Sequence, residues 1–106
     1  MKIRISLVSM LLFLNFGVNA DVIDNAMKLC RVFDGTGMLS QECEVSGGTL
    51  SVDVHIDTSS KEAMSICKQV SGMLKKDDVR FDRDWKIRIF SPFSNGKTIA
   101  TCKLPS

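Results

Sequence analysis

Histidine, closely spaced cysteines and net charge are all scarce in this chain. His55 is the only histidine, and none of the four cysteines belongs to a Cys-x-x-Cys pair. Structural zinc sites and thioredoxin-like redox centres are built from such pairs, so the sequence predicts no metal at the thiols and no cofactor. An enzyme is also disfavoured, because His55 stands among acidic residues, where a solvated surface histidine is the usual case. A small hydrolase or thiol enzyme that uses His55 is the weaker alternative.

The formal net charge of +2 comes entirely from Lys2 and Arg4. Residues 21–106 carry twelve basic and twelve acidic side chains, so a general attraction to nucleic acid or to an anionic membrane loses its basis. The charge is nevertheless uneven along the chain. Residues 21–62 hold three basic and eight acidic side chains, whereas residues 63–106 hold nine basic and four acidic ones. We therefore expect the two halves to present surfaces of opposite charge.

The one long apolar run lies at the N-terminus and is typical of a cleaved export signal. A short positive start precedes an almost wholly apolar run over residues 5–18, and Val18-Asn19-Ala20 supplies the small residues that a signal peptidase needs. The run is shorter than the roughly 20 residues that span a bilayer, so a retained anchor is the weaker alternative. The sequence predicts a signal peptide over residues 1–20 and a mature chain that starts at Asp21. Such a chain suits a periplasmic or secreted bacterial protein.

Residues 21–106 have the length of one compact domain that needs support beyond its hydrophobic core. Four cysteines in an exported chain of this length predict two disulfides. The favoured pairing joins Cys30 to Cys43 and Cys67 to Cys102, because Cys30 lies near the end of a predicted helix and Cys43 just inside the strand that follows. The alternative pairing joins Cys30 to Cys67, at equivalent helix positions, and Cys43 to Cys102.

Apolar residues recur at steps of three and four in two segments, which predicts two amphipathic helices. The stripe of the first helix consists of Ile23, Ala26, Met27, Cys30 and Phe33, and that of the second consists of Ala63, Ile66, Cys67, Val70, Met73 and Leu74. The second helix has Ser59 or Ser60 as its N-cap, and Lys75 and Lys76 end it where positive charge suits the helix dipole. Both segments contain Ala-Met-x-(Leu/Ile)-Cys, 37 residues apart, which predicts an internal repeat of one helix and one hairpin.

Two dipeptides, Gly47-Gly48 and Asn95-Gly96, predict the turns of two β-hairpins. If each is a two-residue turn, the opposed pairs are Val45 with Leu50 and Cys43 with Val52 in the first hairpin, and Ile89 with Cys102, Ile87 with Leu104 and Ser91 with Ala100 in the second. Each register places the apolar residues of its hairpin on one face. The predicted fold is α+β in the order α-β-β-α-β-β, with two helices packed on one face of a four-stranded, mainly antiparallel sheet. The order of the strands in the sheet stays open.

The same registers predict charged stripes on the other face of the sheet. The acidic face of the first hairpin consists of Glu42, Glu44, Asp53 and Asp57, with Glu42 opposite Asp53 and His55 close by. In the second hairpin Arg88 stands opposite Lys103, with Lys86 alongside. Like charges directly across a ladder are destabilising unless something offsets them. Either the two hairpins lie side by side and neutralise each other, or the stripes meet a partner, which includes a second copy of the chain.

Most of the aromatic residues after the signal lie between positions 81 and 93, among basic residues. Trp85 falls on the inward face and is predicted to be core, whereas Phe90 falls on the outer face and Phe93 at the hairpin tip. Exposed aromatic and arginine side chains are typical of interface centres. The predicted binding surface consists of Lys86, Arg88, Phe90, Phe93, Ile99 and Lys103. A nucleic-acid stacking platform has a similar composition, but a neutral exported chain rarely meets that ligand.

These patterns predict a non-catalytic protein-binding module, such as an inhibitor, an immunity protein or an accessory subunit of an envelope assembly. Its partner would be another envelope or secreted protein, since the mature chain carries no membrane anchor and no net charge to hold nucleic acid. A self-assembling structural protein that pairs acidic with basic hairpins is the alternative from a different class. The residues alone do not identify the partner or the oligomeric state.

Overall fold

The computed structural model describes residues 17–106, with side chains from Val22 onward. Two helices and four strands follow one another as α1 (Gly17–Gly35), β1 (Leu39–Ser46), β2 (Ser51–Ile56), α2 (Ser60–Lys76), β3 (Lys86–Phe90) and β4 (Thr98–Lys103). The positive and apolar start of the predicted signal peptide, residues 1–16, lies outside the described residues. The predicted cleavage position after Ala20 lies near the beginning of α1. Within the described part of the chain, no helix is both long and apolar enough to cross a membrane.

Helix α1 rests on the sheet through a stripe of side chains spaced at three and four residues. The buried members are Val22, Ala26, Leu29, Cys30 and Phe33. The predicted stripe had Ile23 and Met27 in place of Val22 and Leu29, and this was wrong, since Ile23 is 40% and Met27 47% exposed. The helix is thus rotated so that these two side chains lie on its flank. The helix ends at Gly35, and the chain turns away at Gly37, which has a positive φ of 76°, a conformation that favours glycine.

Helix α2 begins and ends where its sequence predicts. The Ser59 hydroxyl accepts a hydrogen bond from the backbone N–H of Glu62, 3.2 Å away, and Lys75 and Lys76 occupy the last turn. Ala63 and Cys67 are buried, and the remaining predicted stripe is partly buried, with one exception. Met73 is 64% exposed, so its predicted inward position is wrong and it lies at the rim of the helix packing.

The four strands form one mixed sheet in the order β1-β2-β3-β4. Both hairpins are antiparallel, while β2 and β3 run parallel in the centre. The parallel pairing of β2 with β3 is possible because α2, which connects them, provides the crossover connection that parallel neighbours need. The α+β fold with two helices on a four-stranded sheet is confirmed. The central strands supply the middle of the core, which includes Val52, Val54, Ile87 and Ile89, all at 0% exposure.

Both predicted hairpin registers were wrong by two residues, because each turn is longer than two. Residues 47–50 form the first turn, and Val45 therefore pairs with Val52. Residues 91–97 form the second, and Ile89 pairs with Ala100, and likewise Ile87 with Cys102. A shift of two preserves the face on which each side chain lies, so the predicted apolar face survives.

The register shift also changes which charges face each other. The predicted oppositions of Glu42 with Asp53 and of Arg88 with Lys103 are wrong: Asp53 stands opposite Glu44, and Arg88 stands opposite Thr101. The like-charged pair in the second hairpin is instead Lys86 with Lys103. The paired charges Glu44, Asp53, Lys86, Arg88 and Lys103 therefore lie on the predicted face with different neighbours.

The favoured disulfide pairing is confirmed. Cys30 bonds Cys43 and Cys67 bonds Cys102, with Cα–Cα distances of 5.2 and 6.0 Å. The two bridges are not equivalent, because Cys43 lies on the first strand of its hairpin and Cys102 on the second. Strand β1 is also an edge strand while β3 is central. The predicted internal repeat is thus not supported by the arrangement of the two halves.

Candidate interaction surface

The sheet face opposite the helices is organised around one ion pair between the two hairpins. Because β2 and β3 are parallel neighbours, Asp53 stands beside Arg88. The guanidinium donates from Nε to Oδ1 at 2.8 Å and from Nη2 to Oδ2 at 2.6 Å. Such a two-point contact between arginine and a carboxylate is stronger and more directional than a single hydrogen bond. The expectation that the hairpins lie side by side and neutralise each other is confirmed at this pair.

Burial and pairing act on the Asp53 carboxyl in opposite directions. Burial by itself raises its pKa, whereas the hydrogen bonds from Arg88 and Ser51 and the positive charge of Arg88 lower it. The pairing prevails, and the pKa of Asp53 lies below its ordinary value. The hydrogen bonds to Asp53 raise the pKa of Arg88 in turn. The pair is therefore ionised at neutral pH and fixes the centre of the face.

Phe90 is enclosed by its neighbours on this face. The His55 ring stacks on it with centroids 4.9 Å apart and 16° between the ring planes, and the Arg88 guanidinium carbon lies 5.2 Å from the Phe90 centroid. Phe90 is consequently only 9% exposed. Its predicted position on the outer face holds, but the prediction that it is an exposed aromatic was wrong, because the parallel register brings His55 beside it.

His55 is less solvated than its sequence context predicts. Its Nδ1 atom is buried and has no hydrogen-bond partner among the described residues. Buried polar atoms in folded proteins are nearly always hydrogen-bonded, so this atom is a local cost to stability. The ring serves here as a stacking surface for Phe90.

Phe93 is the most exposed of the large apolar side chains in the described chain, at 81%. It lies in the loop of residues 91–97, which we call the Phe93 loop. The Ser91 hydroxyl accepts from the Phe93 N–H at 3.1 Å, and the Ser94 hydroxyl accepts from the Ser91 N–H at 3.2 Å. Ser94 also donates to the Lys97 carbonyl oxygen at 2.6 Å. The hydroxyl groups of Ser91 and Ser94 thus stabilise the backbone conformation of the loop, from which the Phe93 side chain projects into solvent.

The structure does not bring all six residues of the predicted binding surface together. Lys86 and Lys103 stand opposite each other at one end of the second hairpin, and Phe90 lies at the other end of β3, roughly 13 Å along the strand. The Lys86 ammonium donates to the carbonyl oxygens of Thr49 and Asp84, at 2.8 and 3.2 Å.

Ile99 was predicted on the outer face, but it packs partly against the core. The ladder between β3 and β4 shifts by one residue between Ile89 and Phe90, opposite Ile99. The extra residue at this shift explains why simple alternation places Ile99 on the wrong side.

The predicted acidic face is only partly neutralised. Asp53 is paired with Arg88, and Glu44 is its neighbour on β1. Glu42 and Asp57 are exposed. Between the side chains that the structure describes, no ion pair within 4.0 Å involves Glu42, Glu44 or Asp57. Negative charge therefore remains at the β1 side of the sheet.

Two apolar grooves beside α1 were not predicted. One lies between α1 and α2, has a volume of about 350 Å³, and includes Leu29, Val32, Val70 and Met73 in its lining. The other lies between α1 and β1, has a volume of about 500 Å³, and is lined in part by Ile23 and Met27. The signal for both was present in the sequence, because α1 has more apolar residues than a single stripe needs.

No group of three or more histidine, cysteine and acidic side chains capable of holding a metal ion occurs within residues 17–106. Both disulfides are formed, and they account for all four cysteines. Comparison with protein-family models, with curated proteins and with solved structures gave no significant match.

Proposed function

We propose that this chain is a small exported protein-binding module that recognises its partner chiefly through the Phe93 loop. It acts in the periplasm or outside the cell, as an inhibitor, an immunity protein or an accessory subunit of an envelope assembly. The observation that carries the proposal is the 81% exposure of Phe93 on a hydrogen-bonded loop. A large aromatic side chain in water has little to gain in the free protein, whereas it gains substantially by filling a partner's pocket.

The order of the Phe93 loop supports this proposal. Binding costs conformational entropy for every side chain and loop that must be immobilised, and a loop already fixed by Ser91 and Ser94 avoids part of that cost. The loop follows directly after Phe90, which His55 and Arg88 hold in place. Phe93 therefore projects from an ordered segment of the chain, as an interface anchor requires.

The two disulfides support export, because such bridges persist in oxidising compartments. Cleavage after Ala20 would remove residues 17–20 from the start of α1 and leave residues 21–35 of the helix in the mature chain. Mass spectrometry of the protein from the periplasm or medium tests this part. We expect a mature chain that begins at Asp21, and an intact N-terminus would contradict export by a cleaved signal.

The geometry gives less support to the two other functions. A cysteine nucleophile beside His55 needs a free thiol, and all four cysteines are bridged. Pairing of acidic with basic hairpins between copies would have to rely on the outer charges, such as Glu44 and Lys103, because Asp53 and Arg88 already neutralise each other within one chain. A binding module has neither requirement.

The decisive experiment is capture of partners by the oxidised mature protein from an envelope extract, compared with the Phe93→Ala variant. Val32→Ala is the matched control, since Val32 is also an exposed apolar residue, at 65%, but lies on α1. We expect one stoichiometric partner that Val32→Ala retains and Phe93→Ala loses. Equal capture by all three proteins would remove the Phe93 loop from consideration. Loss with both variants would point to non-specific apolar adsorption.

A further inference from the structure

Strand β1 has one side that no other described strand covers. It is the first strand of the sheet and pairs only with β2. The pairing is regular from Glu44 to Ser46 and irregular nearer Leu39. The Asp34 carboxylate accepts a hydrogen bond from the Cys43 N–H at 2.9 Å, which closes one end of the edge. A short stretch from residue 44 to the turn at residues 47–50 is left, and exposed strand edges of this kind are templates for another extended chain.

An apolar trench runs beside this edge, on the side of the sheet that carries the helices. It has a volume of about 500 Å³, and its lining includes Ile23, Met27, Cys30, Arg31, Cys43 and Val45. A smaller cavity of about 190 Å³ beside Trp85 shares Ile23 and Gly47 with it, so the trench continues past the hairpin turn. In an added strand every second side chain points to the helix side of the sheet. Those side chains would enter the trench, where apolar groups fit.

The side chains between them would point to the outer face, beside Glu44. Its carboxylate has no ion-pair partner among the residues that the structure describes. Asp53, the next acidic residue on this face, is already neutralised by Arg88. Positive charge is therefore favoured on the outer side of an added strand. Arg31 lines the trench on the helix side and disfavours positive charge there. The apolar side chains of an added strand are therefore expected in the trench and the basic ones on the outer face.

We propose that the edge of β1 and the α1–β1 trench bind an extended peptide in which apolar side chains alternate with basic ones. Main-chain hydrogen bonds to residues 44–46 supply part of the affinity, and the trench and the Glu44 carboxylate select the side chains. The opposite edge is unsuited to the same ligand. Strand β4 has Lys103 as its last residue and Lys97 directly before its first, and these positive charges would repel a basic peptide. This site is separate from the Phe93 loop, and either proposal can fail without the other.

The probe is an acetylated and amidated hexapeptide of alternating valine and lysine that carries a fluorescent label. We expect saturable binding to the purified, oxidised protein by fluorescence anisotropy, with a Kd below about 1 mM. Backbone amide shifts in NMR spectra should change at residues 44–47 and not along β4. Absence of binding up to about 1 mM, or shifts confined to β4, would overturn the proposal.

Two pairs of matched variants test the contributions of the Glu44 carboxylate and of the apolar trench separately. Glu44→Gln should weaken binding roughly two- to fivefold, the size of an exposed ion pair, while Glu62→Gln on α2 should leave it unchanged. Met27→Lys should abolish binding by placing charge in the trench, while Met73→Lys, at a similarly exposed apolar position, should not. Equal effects within either pair would contradict the assigned site.

Two peptide controls test the alternation and the strand pairing. A peptide with glutamate in place of lysine should not bind, because its carboxylates would meet the like charge of Glu44. A valine–lysine peptide with every second backbone nitrogen methylated in the phase that faces β1 should lose binding, since it cannot donate to the edge. Full affinity of the methylated peptide in both phases would show that no strand is added.

Discussion

The two edge strands are fastened to helices by disulfides, but in different surroundings. Cys30–Cys43 ties α1 to β1, and Cys67–Cys102 ties α2 to β4. Each bridge joins a buried helix cysteine to a partly buried strand cysteine, so both are anchored in the core. The first bridge also lines the open trench between α1 and β1. The same covalent link therefore supports core packing in both halves and borders a groove in only one of them.

The halves also differ in charge, and the parallel step between β2 and β3 decides how far the difference is cancelled. Only Asp53 and Arg88 meet across this step within salt-bridge distance in the described sheet. Glu44 on β1 and Lys103 on β4 lie at the two outer strands and keep their charges apart. The sheet is therefore neutralised at its centre and carries opposite charges on its two outer strands.

The largest expected effect comes from removing one bridge at a time. Loss of Cys67–Cys102, by Cys67→Ala with Cys102→Ala, should lower the free energy of unfolding by about 4 kcal/mol, and loss of Cys30–Cys43 by about 3 kcal/mol, from chain entropy alone. The larger value follows from the sequence separations of 35 and 13. Urea unfolding of both double variants and the oxidised protein measures the difference. A greater loss from the Cys30–Cys43 variant would mean that packing around the bridges, and not the length of the closed loop, decides how much each one stabilises the fold.

The next effect comes from the ion pair that joins the halves. Arg88→Met should destabilise the fold by about 1–3 kcal/mol, because it leaves the Asp53 carboxylate largely buried without its partner. Arg83→Met is the control, since Arg83 is exposed. Urea unfolding at pH 7 compares the two variants. Equal stabilities would mean that the pair contributes nothing to holding the halves together.

The same pair predicts a pH dependence. The pKa of Asp53 in the folded protein lies below its ordinary value of 3.8, so its contribution is present above about pH 4 and is lost as the pH falls through the folded value. The stability difference between the native protein and Asp53→Asn should therefore shrink from pH 7 to pH 2. Unfolding curves at both values test this, and a difference that grows on acidification would contradict the assignment.

A smaller effect is expected at His55. Substitution His55→Phe keeps an aromatic ring on Phe90 and removes the buried Nδ1 atom that has no partner in the described structure. The fold should gain about 1 kcal/mol, whereas His55→Ala should lose the stack and be destabilised. Thermal unfolding of the two variants distinguishes these outcomes. A destabilised His55→Phe protein would mean that Nδ1 makes a bond that stabilises the native state.

The smallest effect on stability is expected at Phe93, although it is the proposed anchor. Because its side chain is 81% exposed, Phe93→Ala should change the free energy of unfolding by less than about 0.5 kcal/mol. Urea unfolding of the variant provides the measurement. A loss of several kcal/mol would show that Phe93 supports the loop rather than a partner, and the capture experiment would then need a different variant.

The faces of regularly paired strand residues were predictable from the sequence, whereas the face of Ile99, at the irregularity in β4, and the neighbours across the strands were not. The apolar face of each hairpin follows from alternation, which tolerates an error of two residues at the turns after Ser46 and Phe90. The opposition of Arg88 and Lys103 depends on turn length, which the dipeptides Gly47-Gly48 and Asn95-Gly96 do not determine. The disulfide pairing was predictable because each bridge joins a helix to a strand of the hairpin that follows it.

The strand order, which determines the neighbours at the candidate site, could not be predicted from the sequence. His55 covers Phe90 only because β2 and β3 are adjacent and parallel. Long-range pairing of this kind leaves no local pattern, so an outer-face aromatic could not be recognised as enclosed. Phe93 was correctly placed at a hairpin tip, because loop position depends only on local sequence.

The order of the bridges along the chain has a consequence for how the protein reaches its folded state. The first cysteine pairs with the second and the third with the fourth. If the chain is exported N-terminus first, as proposed above, each native bridge can close before the cysteines of the next bridge arrive. Sequential closure in this order requires no thiol–disulfide exchange, so oxidative folding should then proceed without the help of an isomerase.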